Sequence, residues 1–550
     1  MKLLIMLLLS ALLGVTLAAA YSRTEAESPL EAEARIFMDM FEAGFKEFNV
    51  GMSAEYWKFY TRGDPGRTDT YEKIQSEILS DPQTFARLTG WRGKITDPLL
   101  ARRVELLYRT FAMAQVTSQE KIYTLQNSLQ KVQINFRSTY QGRPATQNEL
   151  TNILRYEKDR QSRKDAWLSR NQVGNEMAPE LTRLIRLRNE AARKLGYASF
   201  YSMSLELGEI DEAWLFQSLA ELERLSQAPY GKWQERVKRQ IDVARLEPWD
   251  AQYDYDDVQG KVKAYFPKQQ ILPRLRSTYR SIGLDVDQMP IQVDDEERPG
   301  KSQHAFSFSI DVPTDIRILA NADDGFASYR TMFHEMGHAV YSASIRQPSY
   351  LLQEAASPCF TEGIGQFFPM FLEEQPWLTG TAGIPADLAK DFMKRTKEDA
   401  AYGIRFHLVM LHFEREAYRN PDQNLTQLWW AMNEKYLGMP QHPEVDSWAS
   451  IIHFTSHPAY YQNYLLADMI AAQLMHHLRR DQGPVLDNAR TGEFLKTQVF
   501  SKGASVPWAQ LLADTTSEPL NLKYYVEDKL GPPPLAETET RARQRPTSSR

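Results

Sequence analysis

Beyond its first twenty residues the chain is patterned mainly as helices. Ile122, Leu125, Leu129, Val132 and Phe136 recur at spacings of three and four, which sets them on one helical face. Thr117 and Glu120 precede this run in the arrangement of a capping box. Leu184, Leu187, Ala191 and Leu195 form a second stripe, which Gly196 ends. The charges between Lys158 and Arg239 read as the solvated faces of such helices, and no fixed-period repeat is present. One stretch departs from this rule. In HAFSFSIDV, from His304, the apolar Phe306, Phe308, Ile310 and Val312 alternate with Ser307, Ser309 and Asp311, the period of a half-buried strand. Pro313, Thr314 and Asp315 make a turn, and IRILANA from Ile316 returns as the partner strand. A small antiparallel sheet is therefore expected just before residue 334.

The two ends differ from the middle. Met1 to Ala20 reads MKLLIMLLLSALLGVTLAAA: a lysine, a short apolar run, then small residues. This is the layout of a secretory signal peptide cleaved after Ala20. Its apolar run is short of the about 20 residues a membrane span needs; left uncut it would be an anchor. From Gly531 the sequence GPPPLAETETRARQRPTSSR lacks the apolar residues to fold and reads as a disordered tail. The expected organisation is a signal peptide over 1–20, one large domain over 21–530 and a tail over 531–550. The mature protein is expected to be secreted or periplasmic, monomeric and free of the membrane.

The 550 residues include 65 Lys+Arg and 71 Asp+Glu, a net charge of −6, with 42 % hydrophobic and 11 % aromatic residues. That supports a large core and excludes a disordered chain, a collagen-like repeat and a disulfide-stapled miniprotein. The charge balance argues against a dedicated nucleic-acid binder. Cys359 is the single cysteine, so no intrachain disulfide forms, and a small buried residue is its simplest role.

Residues 334–338 read His-Glu-Met-Gly-His. On a helix His334 and His338 lie one turn apart and project from one face, where both imidazoles can chelate one Zn²⁺. Glu335 stands beside them, where it can take a proton from zinc-bound water. Phe333, Met336 and Val340 would bury the opposite face. A zinc site of this kind needs a third ligand and an open position. SPCFTEGIGQFF places Glu362 in a second apolar helix pattern, whereas the competing Glu354 lies before Pro358, where a helix is less readily begun. Donors for a developing oxyanion could come from His304 or from IIHFTSHPAYYQNYLL, which carries His453, His457, Tyr460, Tyr461 and Tyr464.

Together these residues resemble the angiotensin-converting enzyme family of gluzincin metallopeptidases, over roughly Leu30 to Leu530. His304-Ala305 falls at the family's interval before HEMGH, and Glu362-Gly363-Ile364-Gly365-Gln366 matches its third-ligand segment. RLRNEAARKLGYASFYSM, LWWAMNEKYLGMP and GASVPWAQLLAD are weaker echoes. The resemblance implies a mainly α-helical, two-lobed zincin with a deep central cleft. One zinc would be held by His334, His338 and Glu362, with Glu335 as general base. It further implies Tyr464 as the oxyanion-stabilising tyrosine, Tyr461 as a holder of the substrate's C-terminal carboxylate, and His304 with the Ala305 backbone as the strand edge that receives the peptide. The transition-state histidine matches His453, one residue further from Tyr464 than in the family, which leaves His457 open.

The departures bear on specificity. Where the family has a carboxylate-clamping lysine this chain has Ile451 and Ile452, and Asn463 replaces an arginine linked to chloride activation. Gln366 replaces an aspartate that orients a zinc histidine, and Gln303 and Asn321 stand where many members carry a disulfide. The expected activity is hydrolysis of short peptides with release of C-terminal dipeptides. An oligopeptidase cutting internal bonds, or an inert peptide-binding scaffold, are the alternatives.

Overall fold

The computed structural model describes residues 27–253 and 257–531. The expected signal peptide over 1–20, and the expected tail apart from Gly531, lie outside the described residues.

Helix α1 (Pro29–Arg62) starts where Ser28 accepts the Glu31 N–H and Pro29 fills a position that needs no donor. Helix α2 (Glu120–Asn135) buries Ile122 and Leu129 and half-buries Leu125 and Val132, as the pattern predicts. Its capping box does not form. The preceding helix (Pro98–Thr117) runs through Thr117, whose hydroxyl is bonded to its own helix at Met113 O, and Gln119 takes the cap position without a side-chain bond. A threonine that still belongs to one helix cannot cap the next. Helix α3 (Arg160–Lys194) is capped by Asp159, buries Leu184 and Ala191, and gives way to Gly196 at φ 93°.

Two short strands, β1 (Ser138–Tyr140) and β2 (Arg143–Ala145), pair as a hairpin. A second sheet contains β3 (Ile291–Asp294), β4 (Phe306–Asp311) and β5 (Asp315–Leu319) in the order β3-β5-β4. The expected hairpin is there, with Phe306 opposite Leu319 and Ser309 opposite Ile316. The sheet is mixed rather than antiparallel, because β3 adds in parallel to β5, Ile291 facing Ile316. Four residues of IQVD carry too little alternation to announce a strand, and their partner lies more than twenty residues away. Phe306 and Phe308 turn toward α1, their rings 5.3 and 6.2 Å from Tyr60. This leaves β4 at the sheet edge.

The HEMGH segment lies within helix α4 (Phe326–Ser344), which buries Phe333, Met336 and Val340. Helix α5 (Pro358–Phe367) begins at Ser357, whose hydroxyl accepts the Phe360 N–H. A Cβ at Gly337 would lie 2.7 Å from Phe368 Cδ2 and 3.1 Å from Ile364 O, so glycine is what allows α4 and α5 to meet closely. Helices α6 (Ala386–Arg419), α7 (Gln462–Gln482) and α8 (Leu522–Leu530) complete the surroundings of the site, with the short helix Ile452–Ser456 leading into α7. The protein is thus a mainly α-helical zincin with small sheets. Among the described residues no helix is long and apolar enough to cross a membrane.

Candidate metal centre and active site

His334 and His338, one turn apart on α4, bring their Nε2 atoms within 3.0 Å of each other. Glu362 of α5 places Oε2 3.4 Å from His334 Nε2 and 4.0 Å from His338 Nε2. The donor atoms of the three all lie within 4.8 Å of one another, and Glu354 is not part of the group. Two imidazole nitrogens and a carboxylate oxygen converging from two helices form a donor set that fits zinc. Burial lowers the His338 pKa to about 4, so its nitrogen is available as a neutral ligand. Burial pushes Glu362 upward, but its contacts with His334 and His338 leave it below the usual carboxylate value.

Around the triad, His338 Nδ1 lies 3.0 Å from the Thr361 hydroxyl, and the Tyr460 hydroxyl donates to Glu362 Oε1 at 3.3 Å. A Cβ at Gly365 would lie within 2.9 Å of both imidazoles, so the glycine leaves room for them. Gln366 does not orient a histidine; its Oε1 accepts from Arg330 Nη2 at 3.4 Å. The histidine partner is Thr361 instead, a contact no spacing rule announces because it depends on how α5 rolls against α4.

Glu335 is tied to the sheet. Its Oε2 accepts the Ser307 N–H at 2.7 Å, so the edge of β4 and the HEMGH helix join at this carboxylate. Burial raises its pKa. His304 lies just before β4, exposed, with a ring contact to Phe306 as its nearest partner, and Ala305 is half-buried. Asn321 donates its amide to Ser302 O, joining the two strand ends where a disulfide was expected to be missing.

The second cluster comes from the turn into α7. His453 Nε2 lies 3.4 Å from the Tyr464 hydroxyl, and its ring is 5.1 Å from that of Tyr461. Burial lowers the His453 pKa to about 4, which keeps it neutral. His457 is exposed, and its ring lies 6.2 Å from each of the His453 and Tyr460 rings. This turn is braced from behind by two residues that sequence reasoning missed. Arg188 of α3, fully buried, donates to Phe454 O at 3.0 Å and to Thr455 O at 2.7 Å. Glu414 of α6 accepts the Ala459 N–H at 2.7 Å and has its pKa raised to about 7 by burial. Ala459 itself sits at φ 53°, a strained conformation that these contacts help to hold.

His453, Tyr461 and Tyr464 open onto a cavity of about 1120 Å³, with Arg330 and Gln366 also in its lining. Cys359 is fully buried, with its sulfur 3.1 Å from Ser357 Oγ.

A helix carrying HEMGH with a glutamate from a second helix defines a gluzincin zinc metallopeptidase. The chain belongs to peptidase family M3, whose family model matches residues 153–529. Residues 28–222 match the model of angiotensin-converting enzyme. The bovine angiotensin-converting enzyme is 23 % identical over 338 residues, covering 53 % of this chain and 25 % of the relative. The enzyme of Mesocricetus auratus is 22 % identical over 434 residues, 68 % of this chain and 32 % of the relative. The mouse angiotensin-converting enzyme-like protein Ace3 is 22 % identical over 242 residues, 39 % and 32 %. The chain thus spans about a quarter to a third of the length of these relatives. The resemblance read from HEMGH and its flanks is upheld.

Proposed function

We propose that this protein is a peptidyl-dipeptidase that removes C-terminal dipeptides from short peptides after export. The observation that carries the reading is the convergence of the triad, of Glu335 bonded to the edge of β4, and of the His453–Tyr464 pair, which lines a large cavity. His334, His338 and Glu362 would hold a single zinc ion. When bound, zinc supplies Lewis acidity that polarises a peptide carbonyl and acidifies water.

The chain's own residues do the rest. A substrate laid along the edge of β4 is held extended by backbone hydrogen bonds, with His304 and Ala305 at the entry. Glu335, raised by burial and anchored by the Ser307 N–H, takes the proton of the attacking water and passes it to the leaving amine. Tyr464 donates its hydroxyl to the oxyanion that develops on the scissile carbonyl, with the neutral His453 orienting that hydroxyl. Tyr461 borders the cavity that receives the leaving dipeptide. Export rests on the leader-like residues 1–20, and a monomer is the simplest state.

Ile451 and Ile452, standing where a lysine clamp was expected, favour a second reading: an oligopeptidase cutting internal bonds. Mass spectrometry of a decapeptide with a free C-terminus and of its amidated twin separates the two. Dipeptide release confined to the free acid supports the first reading, and internal cuts in both peptides support the second. Absence of cleavage in either would point to an inert scaffold.

A further inference from the structure

Ile451 and Ile452 stand where the resemblance implies a lysine, so these two positions supply no cation, yet a dipeptide leaving group ends in a carboxylate that must be received. The cavity beside the zinc ligands has a second tier of side chains. Arg330 lies four residues before His334 on α4, Gln366 four residues after Glu362 on α5, and Asp468 four residues after Tyr464 on α7; all three line the cavity. A spacing of four repeats the same helical face about 6 Å further along each axis. Each member of this tier therefore stands one turn from a member of the zinc or tyrosine tier. Two extended residues span roughly 7 Å. The terminal carboxylate of a dipeptide whose scissile carbonyl sits at the triad arrives at this second tier.

Arg330 shares a small pocket with Glu373, Asp468, Asp528 and Lys529, and among the described residues no carboxylate lies within ion-pair distance of its guanidinium. Arg330 is exposed to the cavity, and among the described residues its guanidinium makes one polar contact, the 3.4 Å bond to the neutral Gln366 amide. Lys529 also lines this space but is already neutralised: Asp528 lies 3.0 Å from its Nζ, and Glu373 and Asp468 face it as well. Arg395 is paired with Asp399, and Arg155 and Lys397, which also line the cavity, do not lie one turn from a zinc-triad residue or from Tyr464. Lys263 lies against Gly325, nine residues before His334, about 14 Å along α4 and out of a dipeptide's reach. A guanidinium offers the forked pair of donors that a carboxylate accepts in bidentate fashion.

We propose that Arg330 receives a carboxylate two residues beyond the scissile bond, taking the part of the missing lysine and setting the enzyme's preference for anionic leaving dipeptides. This rests on the peptidyl-dipeptidase reading. The carboxylate can be the chain terminus or an acidic side chain at that position, and the experiment distinguishes them.

The zinc-loaded full-length protein and its R330M and R330K variants are compared on three versions of one neutral decapeptide: free acid, C-terminal amide, and an amide whose last residue is glutamate. Zinc content of each variant is measured alongside. The wild type is expected to favour the free acid over the plain amide, and R330M to lose about tenfold or more of that preference, mainly through a higher KM. R330K, which keeps the charge, is expected to retain most of it. If R330M instead loses its preference for the glutamate amide alone, the carboxylate received is that of a side chain. R330M with the wild-type preference and KM would overturn the role of Arg330 while leaving dipeptide release standing. Equal internal cleavage of free acid and amide by the wild type would overturn both, and would be seen before any variant is made.

Discussion

The Ser307 N–H, on the outer edge of β4, is donated to Oε2 of Glu335 at 2.7 Å. Strand and helix thus meet at the group proposed as the base, so the strand edge proposed to lay out a peptide also fixes the carboxylate proposed to act on it. Replacing Glu335 by glutamine keeps the shape and an acceptor for Ser307 but removes the basic oxygen. Turnover is expected to fall by roughly 10²–10⁴-fold, the usual contribution of general-base catalysis, with zinc retained. Steady-state kinetics together with metal content check this; loss of zinc in parallel would mean that Glu335 holds the ion.

Tyr464 and His453 are 3.4 Å apart, a distance at which the ring N–H can donate to the phenol oxygen and leave the phenol proton for the oxyanion. Tyr464→Phe deletes a donor needed only as the oxyanion forms. The expected result is a drop in kcat of about 10²–10³-fold with KM little changed. A variant as fast as the parent would move the role to Tyr461 or Tyr460.

Tyr460 holds the far oxygen of Glu362. Partners of this kind tune metal affinity, so Tyr460→Phe should weaken zinc binding by about 10-fold while single turnovers by the loaded protein continue. Competition with a fluorescent zinc chelator measures the first effect; unchanged affinity would reduce Tyr460 to packing.

Glu414 gives a pH signature. Its folded pKa of about 7 stands above the usual carboxylate value of 4.5, so the folded state holds its proton more tightly than the unfolded one. Below both values the two states are equally protonated and nothing is lost. As pH rises from 4.5 to 7 the unfolded chain releases the proton first, and stability falls by up to about 3 kcal/mol, flattening beyond. Glu414→Gln removes this dependence. The stability of the variant relative to wild type should therefore rise across that window in denaturant titrations. A pH-independent difference would show that Glu414 ionises normally.

What could be read from the sequence followed the range of the interaction. His334, Glu335 and His338 lie within one helical turn, so their grouping is a local consequence of helix geometry, and the Phe306–Val312 alternation is equally local. Glu362 was legible because Pro358 and the apolar run after it announce a helix. The parallel strand Ile291–Asp294 was not, since its partner begins at Asp315. Thr117 and Glu120 had capping-box spacing, yet the helix ending at Thr117 had already claimed the hydroxyl. Gln366, which stands where the family has an aspartate on a zinc histidine, turns to Arg330, while Thr361 contacts His338; both depend on the roll of one helix upon another. Arg188 and Glu414, far apart in sequence from the turn they brace, left no trace in it.

The central claim is that one zinc, held by His334, His338 and Glu362, is required for peptide cleavage. The most direct test strips the protein with chelator and titrates zinc back while following decapeptide cleavage by mass spectrometry. The account predicts no cleavage by the stripped protein and full recovery at one zinc per chain, with Glu362→Ala failing to recover at that level. Cleavage by the metal-free protein, or full recovery by the Glu362→Ala variant at one equivalent, would contradict it.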